Sequence, residues 1–204
     1  MTTRRYQQTL RAEAAEETRR RVLDAVYERL RAAPTEPVSV DHIARTARVA
    51  RSTVYLIFGS RAGLFDALAA DLLQRGGFDR VLQAVAHPDA RETLRGGLRA
   101  STEYFAADRD VHRALQSMSA LDAGASGGAV QRSEERRTGG MAHLAQRLAD
   151  QELLRPDVSV GEAANLLWLL TSFDAFDLLY TGRGMSVDEV AAALITTAER
   201  SLCG

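Results

Sequence analysis

Two short amphipathic segments follow each other between Val38 and Arg61, and this stretch constrains the fold more than any other part of the chain. Apolar residues recur in both segments at three- and four-residue spacing, which is the period of a helix. They are Val40, Ile43, Ala44 and Ala47 in the first segment and Val54, Ile57 and Phe58 in the second. Ser39 can cap the first helix. Two short helices with so brief a break predict a helix-turn-helix.

The second of these helices offers side chains that suit the major groove of DNA. Its first turn presents Arg51, Ser52 and Thr53. A forked donor and two hydroxyls can hydrogen-bond to base edges, and recognition helices use their N-terminal residues in this way. Tyr55 follows Arg51 by four residues on the same face, so its hydroxyl could reach a phosphate. We therefore expect this helix to read DNA.

Positive charge is concentrated in the same part of the chain. Ser60 can cap a third helix, and Arg61 at its start adds a charge where the amides and the helix dipole already favour an anion. Arginines outnumber acidic residues within residues 1–61, whereas acidic residues predominate within residues 62–204. A basic head on an acidic body is typical of a protein that holds one end against phosphates. A merely solvated face is the alternative for the arginines of the first 20 residues.

The composition favours an all-α protein. Ala, Leu, Arg and Glu are abundant at helical spacing, only 4 prolines occur, and no strand-like alternation is found. The chain has 204 residues, of which 46% are apolar, enough for a substantial core in one larger domain or two unequal ones. The single Cys203 excludes an internal disulfide and a cysteine-based metal cluster. Because no membrane-spanning run or signal segment is seen, we expect a cytoplasmic protein.

A longer pattern extends across the same region. Its members are Ile43-Ala44, Val49, Thr53-Val54-Tyr55, Phe58, Ser60-Arg61 and Leu64-Phe65. The pattern resembles the N-terminal DNA-binding domain of TetR-type transcriptional regulators, which follows roughly IA..AGVS.GTLY.YF.SKE.LF. Arg48 stands where that family usually has glycine, so a turn residue expected in a left-handed conformation carries a side chain. Ala50 replaces the usual Ser or Thr cap, a loss of about 1 kcal/mol.

The resemblance implies the organisation and the function of the chain. We assign residues 1–60 to a three-helix DNA-binding domain and residues 61–204 to a helical domain for effector binding and dimerisation, with about nine helices in total. The implied protein is a dimeric, ligand-responsive regulator that binds a near-palindromic operator. It is expected to be a repressor that a small molecule releases, although an activator is the alternative. The candidate DNA contacts are Ser39, Arg48, Arg51, Ser52, Thr53, Tyr55 and Arg61.

Apolar spacing and the positions of Gly and Pro predict the remaining elements. A flexible basic arm is expected up to about residue 8, an interruption or a bend near Gly139-Gly140, and a mobile loop at residues 122–130. The predicted helices outside the helix-turn-helix lie at about residues 10–31, 61–75, 89–107, 109–120, 130–152, 160–180 and 186–202.

The last two predicted helices carry surplus apolar surface. The run ANLLWLLTSFDAFDLLY, which ends at Tyr180, is apolar almost all round, and the final helix presents small residues suited to close packing. Ser159 with Glu162, and Ser186 with Glu189, match the capping-box pattern. Two such helices are most simply a dimerisation unit, in which two copies form a four-helix bundle.

The resemblance also implies a small-molecule site in the body. Aromatic and polar side chains share helices there that otherwise look like core, and a ligand site needs an apolar wall with a few placed polar groups. Ordinary core packing is the alternative. Asp174 and Asp177 lie on a mostly apolar helix, so a buried one needs an arginine or a cationic ligand, which makes a cationic effector a hypothesis. The candidate walls are Tyr104, Phe105, His112, Gln116, Trp168, Phe173 and Asp177.

Two other functions fit parts of the sequence. Asp174 and Asp177 could serve as acid and base in an enzyme with an incidental helix-turn-helix, but no nucleophile or cofactor motif accompanies them. The body could instead bind another protein. A regulator that is not an enzyme and that uses no cofactor or metal is the favoured prediction. The four histidines show no metal-ligand spacing: His42, His87, His112 and His143.

Overall fold

The computed structural model describes residues 2–121 and 128–204, and every regular element within these ranges is a helix. The all-α prediction is confirmed. The helices are α1 (Thr2–Ala32), α2 (Val40–Thr46), α3 (Arg51–Phe58), α4 (Arg61–Arg75), α5 (Asp79–Val85), α6 (Ala90–Ala107), α7 (Arg109–Leu121), α8 (Ala129–Asp150), α9 (Val160–Leu170), α10 (Phe173–Tyr180) and α11 (Val187–Leu202). None of the helices described is long and apolar enough to cross a bilayer.

These eleven helices exceed the expected number because of two local features. The short helix α5 follows α4 separately, and the predicted helix at residues 160–180 is divided into α9 and α10. The single long helix was therefore a wrong prediction. The hydroxyl of Ser172 accepts a hydrogen bond from the Ala175 amide at 3.1 Å. Ser172 thus caps a new helix where the apolar pattern alone continues.

The chain forms two compact units. The first unit comprises the described residues of Met1–Asp71 and Arg113–Val130, and the second comprises those of Leu72–His112 and Gln131–Gly204. The helix α4 begins in the first unit and ends in the second. Most of the loop predicted at residues 122–130 lies outside the described residues.

In the first unit, α1 packs its apolar stripe against α2, and α2 packs against α3. The helix α1 begins at Thr2, so the arm predicted for the first eight residues was wrong. A helix that has nucleated on a packed segment can propagate without an apolar stripe of its own. The fully buried side chains of this core include Val22, Leu23, Val26, Leu30, Ile43 and Val54.

The turn between α2 and α3 has the strained geometry predicted for it. Arg48 has φ +55°, a left-handed conformation that costs a residue with a side chain about 1 kcal/mol or more. Ala50 occupies the N-cap of α3 without a side-chain hydrogen bond. Ser39 also lies at an N-cap, but its hydroxyl makes no capping bond to α2. Packing against α1 therefore compensates for weak local signals here.

A close contact fixes the next turn. The hydroxyl of Ser60 accepts a hydrogen bond from the Gly63 amide at 2.9 Å, as predicted for the cap of α4. A Cβ at Gly63 would lie only 2.1 Å from the carbonyl oxygen of Phe58. Since the clash involves backbone, α3 and α4 can meet at this distance only with glycine at position 63.

The core of the second unit is formed by α6, α8, α9, α10 and α11. The helix α8 is uninterrupted through Gly139-Gly140, so the interruption that was one of the two expectations there was wrong. Both predicted capping boxes are present, at the starts of α9 and α11. Large side chains at the centre of this core are Leu94, Leu98, Leu148, Leu167 and Phe176.

Candidate functional site

The helix α3 presents one face to the core of the first unit and the opposite face to solvent. Val54 is buried, with 1% of its surface exposed, whereas Leu56 is 86% exposed. Ser52 is also exposed, four residues before Leu56. Because residues four apart lie one above the other on a helix, Ser52 and Leu56 form an outward ridge. Thr53, at the side of this ridge, is half-buried.

Arg51 is held beside that ridge by two partners. Its guanidinium donates to both carboxylate oxygens of Asp41 on α2, at 3.1 and 3.2 Å. It also donates to the Tyr55 hydroxyl at 3.3 Å, and its Cζ lies 5.5 Å from the centroid of the Tyr55 ring. The hydrogen bond with Tyr55 and the charge of Asp41 raise the pKa of Arg51. The guanidinium of Arg51 is therefore oriented in the absence of DNA, and about half of the side chain is exposed to solvent.

The other predicted DNA contacts lie at the margins of the helix-turn-helix. Ser39 and Arg48 are exposed, at the start of α2 and in the turn before α3. Arg61 is half-buried at the start of α4, where its guanidinium lies 5.1 Å from the centroid of the Phe65 ring. Among the seven candidates, direct side-chain contact is thus seen between Arg51 and Tyr55.

Four of the seven predicted effector-site residues meet in an aromatic cluster in the second unit. Its members from that set are Tyr104, Phe105, His112 and Phe173, which pack with Phe176. The His112 ring lies 4.8 Å from Tyr104 and 5.2 Å from Phe105, centroid to centroid. Its Nε2 atom is buried and has no hydrogen-bond partner among the described residues. Burial lowers the pKa of His112 to about 4, so the ring is neutral at pH 7.

Asp177 is buried but already neutralised. Arg109 donates to its two carboxylate oxygens at 2.7 and 3.2 Å, and the Thr181 hydroxyl donates to it at 2.7 Å. The argument for a cationic effector was therefore wrong, because this carboxylate needs no ligand charge. Asp174 is exposed on the same helix. The two carboxylates therefore have different surroundings.

The remaining two effector-site candidates are not members of the aromatic cluster. Trp168 is 42% exposed, with the guanidinium of Arg137 at 4.7 Å from its ring centroid. Arg137 also donates to the carbonyl oxygen of Trp168 and to the hydroxyl of Thr171. Gln116 belongs to the part of α7 that is grouped with the first unit.

A separate cavity of about 40 Å³ lies in the second unit, between α5, α6, α8 and α9. None of the seven predicted residues lines it. Its walls are Val81, Val85, Thr93, Leu94, Gly97, Leu98, Ser101, Met141, Leu144, Leu167 and Thr171. Sequence spacing could not indicate this cavity, because it forms where four helices fail to fill the space between them. In the described ranges, no three His, Cys, Asp or Glu side chains are grouped so that they could hold a metal ion.

Comparison with known proteins classifies part of the first unit. Residues 22–68 match the family model described as bacterial regulatory proteins, tetR family. The matched range contains the end of α1 and the whole helix-turn-helix. This is a TetR-type DNA-binding domain. The resemblance of the chain to TetR-type regulators is confirmed. No curated protein matches the sequence.

Solved structures of TetR-type proteins share the fold over nearly the whole chain. A TetR-like transcriptional regulator from Rhodococcus sp. RHA1 is 25% identical, with a TM-score of 0.61 over 90% of this chain and 94% of that one. NalD of Pseudomonas aeruginosa is 22% identical, with a TM-score of 0.66 over 93% and 98%. PfmR of Thermus thermophilus is 18% identical, with a TM-score of 0.65 over 88% and 97%.

In the TetR-type domain, two residues beside the candidate DNA contacts were not identified from the sequence. Leu56 is apolar but does not belong to the stripe of Val54, Ile57 and Phe58, and that departure could have identified it. Asp41 contacts Arg51 across ten residues of sequence. No local spacing rule predicts that contact, because it depends on the angle between α2 and α3.

Proposed function

We propose that the chain is a homodimeric, ligand-responsive transcriptional repressor that binds a near-palindromic DNA operator. One observation carries the proposal: the TetR-type domain presents an exposed polar and apolar ridge, Ser52 and Leu56, next to the oriented guanidinium of Arg51. These groups can pair with base edges and thymine methyl groups in the major groove. The proposed domains are residues 1–60 for DNA and residues 61–204 for effector binding and dimerisation, in a protein that acts in the cytoplasm.

The proposed contacts divide into two kinds. Arg51, Ser52 and Thr53 read bases, whereas Tyr55 and Arg61 hold phosphates. Ser39 and Arg48, exposed at the margins, add contacts to the DNA backbone. In a dimer, the two copies of α3 would enter successive major grooves roughly 34 to 36 Å apart. An operator with two related half-sites follows from that symmetry.

The proposed dimer forms through the last helices. Large apolar side chains stand in solvent on α9 and α10: Trp168 is 42% exposed, Leu169 is 54% exposed and Leu178 is 69% exposed. The outer face of α11 adds small residues, which allow a close approach. Apolar surface of this kind on neighbouring helices is typical of a bundle interface between two copies.

Release by a ligand requires differential affinity for two conformations. A molecule bound in the body would favour a conformation in which the two copies of α3 no longer match the groove spacing. The helix α4 supports this idea, because it begins in the DNA-binding unit and ends in the body. NalD, which has a similar fold, is described as the secondary repressor of the MexAB-OprM multidrug efflux pump.

The deciding experiment is selection of bound fragments from genomic DNA, followed by measurement of the complex. We expect a two-fold consensus and two chains per operator. The selected operator placed before a reporter gene gives lower expression for a repressor and higher expression for an activator. Fragments without any consensus would contradict the proposal.

The dimer is tested separately by light scattering. The variant Ala193→Arg introduces a charge into the proposed seam of α11 and should give monomers or insoluble protein, because a buried charge without a partner is costly. The matched control is Ala142→Arg, on an exposed position of α8. A wild-type chain that is monomeric at micromolar concentration would remove the dimer and the palindrome together.

A further inference from the structure

We propose that the ligand of the second unit is an uncharged, elongated and largely apolar molecule with one hydrogen-bonding group. Its apolar part occupies the cavity between α5, α6, α8 and α9, and its polar end meets Nε2 of His112. This inference rests on the proposed function in one respect only, which is that binding of the ligand releases DNA.

The walls of the cavity determine the class of ligand. All eleven lining residues are apolar or are Gly, Ser or Thr, so no side chain with a formal charge faces the space. The Thr93 hydroxyl is occupied, since it donates to carbonyl oxygens at 3.0 Å. The Thr171 hydroxyl donates to the carbonyl of Leu167 at 2.8 Å. A charged group would lose its hydration here without compensation, whereas an alkyl chain gains contact.

The cavity must enlarge to admit such a molecule, and α5 is the wall that can move. Ligand pockets usually measure roughly 300 to 1,000 Å³, far more than is present. The helix α5 has seven residues, none of them buried, and packs mainly on α6. Gly77, with φ +71°, precedes it, and Pro88 follows it. Because none of the residues of α5 is buried, its displacement exposes less apolar surface of its own than displacement of a buried helix would.

A cluster of hydrogen bonds joins the C-terminal end of α5 and the residues after it to α8. Arg147 on α8 donates to the carbonyl oxygens of Val85, His87 and Pro88, at 3.3, 2.6 and 2.9 Å. If water or a ligand replaces these hydrogen bonds of Arg147, no buried carbonyl is left unsatisfied, because this end of the helix is exposed.

The helix α6 carries residues of both the cavity and the aromatic cluster. Gly97 and Ser101 line the cavity, and Tyr104 and Phe105 follow one turn later on the same side of the helix. These two rings contact His112, whose unpartnered Nε2 is the conspicuous polar atom of the aromatic cluster. A buried nitrogen without a partner is costly, and a ligand hydroxyl would remove that cost.

Three probes of equal chain length test the class of ligand: 1-octanol, octanoate and octylammonium. Calorimetric titration of the full chain at pH 7, without DNA, should show binding of 1-octanol about ten-fold or more tighter than either ion. Tighter binding of an ion, or binding of none of the three, overturns the inference. Because no DNA is present, that failure leaves operator binding and dimerisation untouched.

Two glycines on helices provide a matched pair for the location. A Cβ at Gly97 or at Gly140 meets no atom within 4 Å, but Gly97 lines the cavity and Gly140 is exposed. The variant Gly97→Val should lower the affinity for 1-octanol about ten-fold or more, and Gly140→Val should leave that affinity unchanged. If Gly97→Val does not fold, Gly97→Ala, which adds one methyl group in open space, should lower the affinity for 1-octanol about four-fold. Equal affinities in all variants place the ligand elsewhere and overturn the assignment.

The variant His112→Phe tests the polar end. It keeps an aromatic ring and removes the nitrogen, so 1-octanol should lose about ten-fold in affinity while the free protein stays folded. Unchanged affinity in this variant overturns the role of His112. Release of a selected operator by 1-octanol is then measured separately; operator binding that ignores 1-octanol would contradict the effector role and leave the site itself established.

Discussion

In the first unit, the side chains proposed to contact DNA are exposed or half-buried, as with Leu56 at 86% exposure. In the second unit, the polar side chains of interest are buried, as with Asp177 at 6% exposure. An exposed side chain makes few packing contacts. Its replacement can therefore change binding while the free energy of unfolding stays nearly the same. A buried polar group contributes to the fold itself. Measurements of stability and of DNA affinity should therefore separate the two units.

The largest expected effect on stability is that of Asp177→Ala. It leaves Arg109, which is only 26% exposed, without its bidentate partner. Loss of one partner of a buried ion pair lowers the free energy of unfolding by about 3 kcal/mol at the low end of the usual range. The low end applies here because Arg109 retains its ion pair with Asp110 and some exposure to solvent. Urea denaturation measures this loss. Asp188→Ala, which removes a 91% exposed carboxylate from its ion pair with Arg99, should change the free energy of unfolding by less than about 1 kcal/mol. Equal effects of the two variants would contradict the distinction.

The variant Arg51→Ala should have the opposite profile. We expect affinity for the selected operator to fall about ten- to hundred-fold, with relaxed preference at one position of each half-site. The midpoint of urea denaturation should not move, since the ion pair of Arg51 with Asp41 is exposed. Arg61→Ala is the comparison: it should weaken all DNA sequences alike and lower the salt slope by about 1. An unchanged consensus for Arg51→Ala would remove it from the base-reading set.

The burial of His112 leads us to expect that stability depends on pH through the second unit. Its pKa is lowered by burial to about 4, below the ordinary value near 6.5. Between these values the unfolded chain binds a proton that the folded chain does not, so stability decreases as the pH falls. The expected loss between pH 7 and pH 5 is about 2 kcal/mol. Denaturation at both pH values should show that His112→Phe removes this loss, whereas His143→Phe, at an exposed site, does not.

The smallest expected effect is that of Leu56→Ala. If Leu56 packs on a thymine methyl group, operator affinity should fall about four-fold, which corresponds to one buried methylene. Stability should be unaffected. Leu82→Ala, which removes an exposed leucine of the second unit, is the control and should leave operator affinity unchanged. A loss of stability in Leu56→Ala would place this residue in the core rather than on the DNA face.

The same contrast explains how far the sequence could be interpreted. In the first unit, the outward face of α3 follows from local spacing: once Val54 is assigned to the core, the 3.6-residue period turns Ser52 outward. The left-handed turn at Arg48 and the cap at Ser60 could be predicted because each depends on its own neighbours. The contact of Arg51 with Asp41 could not, because it depends on how two helices cross.

In the second unit, the decisive contacts join distant parts of the chain. Arg109 and Asp177 are separated by 68 residues, and no periodicity relates them. The apolar pattern of residues 160–180 hides the interruption at Ser172, where a hydroxyl caps a new helix. The cavity depends on the shapes of side chains from four helices, which composition does not specify. The all-α class was predictable, whereas the surroundings of each buried polar group were not.

Trp168 gives the molecule an optical property of its own. It is the only tryptophan in the chain, and the guanidinium of Arg137 lies 4.7 Å from its ring centroid. Arg137 also donates to the hydroxyl of Thr171 at 3.2 Å, and Thr171 lines the cavity. A cation over an indole perturbs its excited state, so we expect a movement of Thr171 that displaces Arg137 to alter the emission. Intrinsic fluorescence of the unlabelled protein should therefore report, without a dye, on movements beside the cavity.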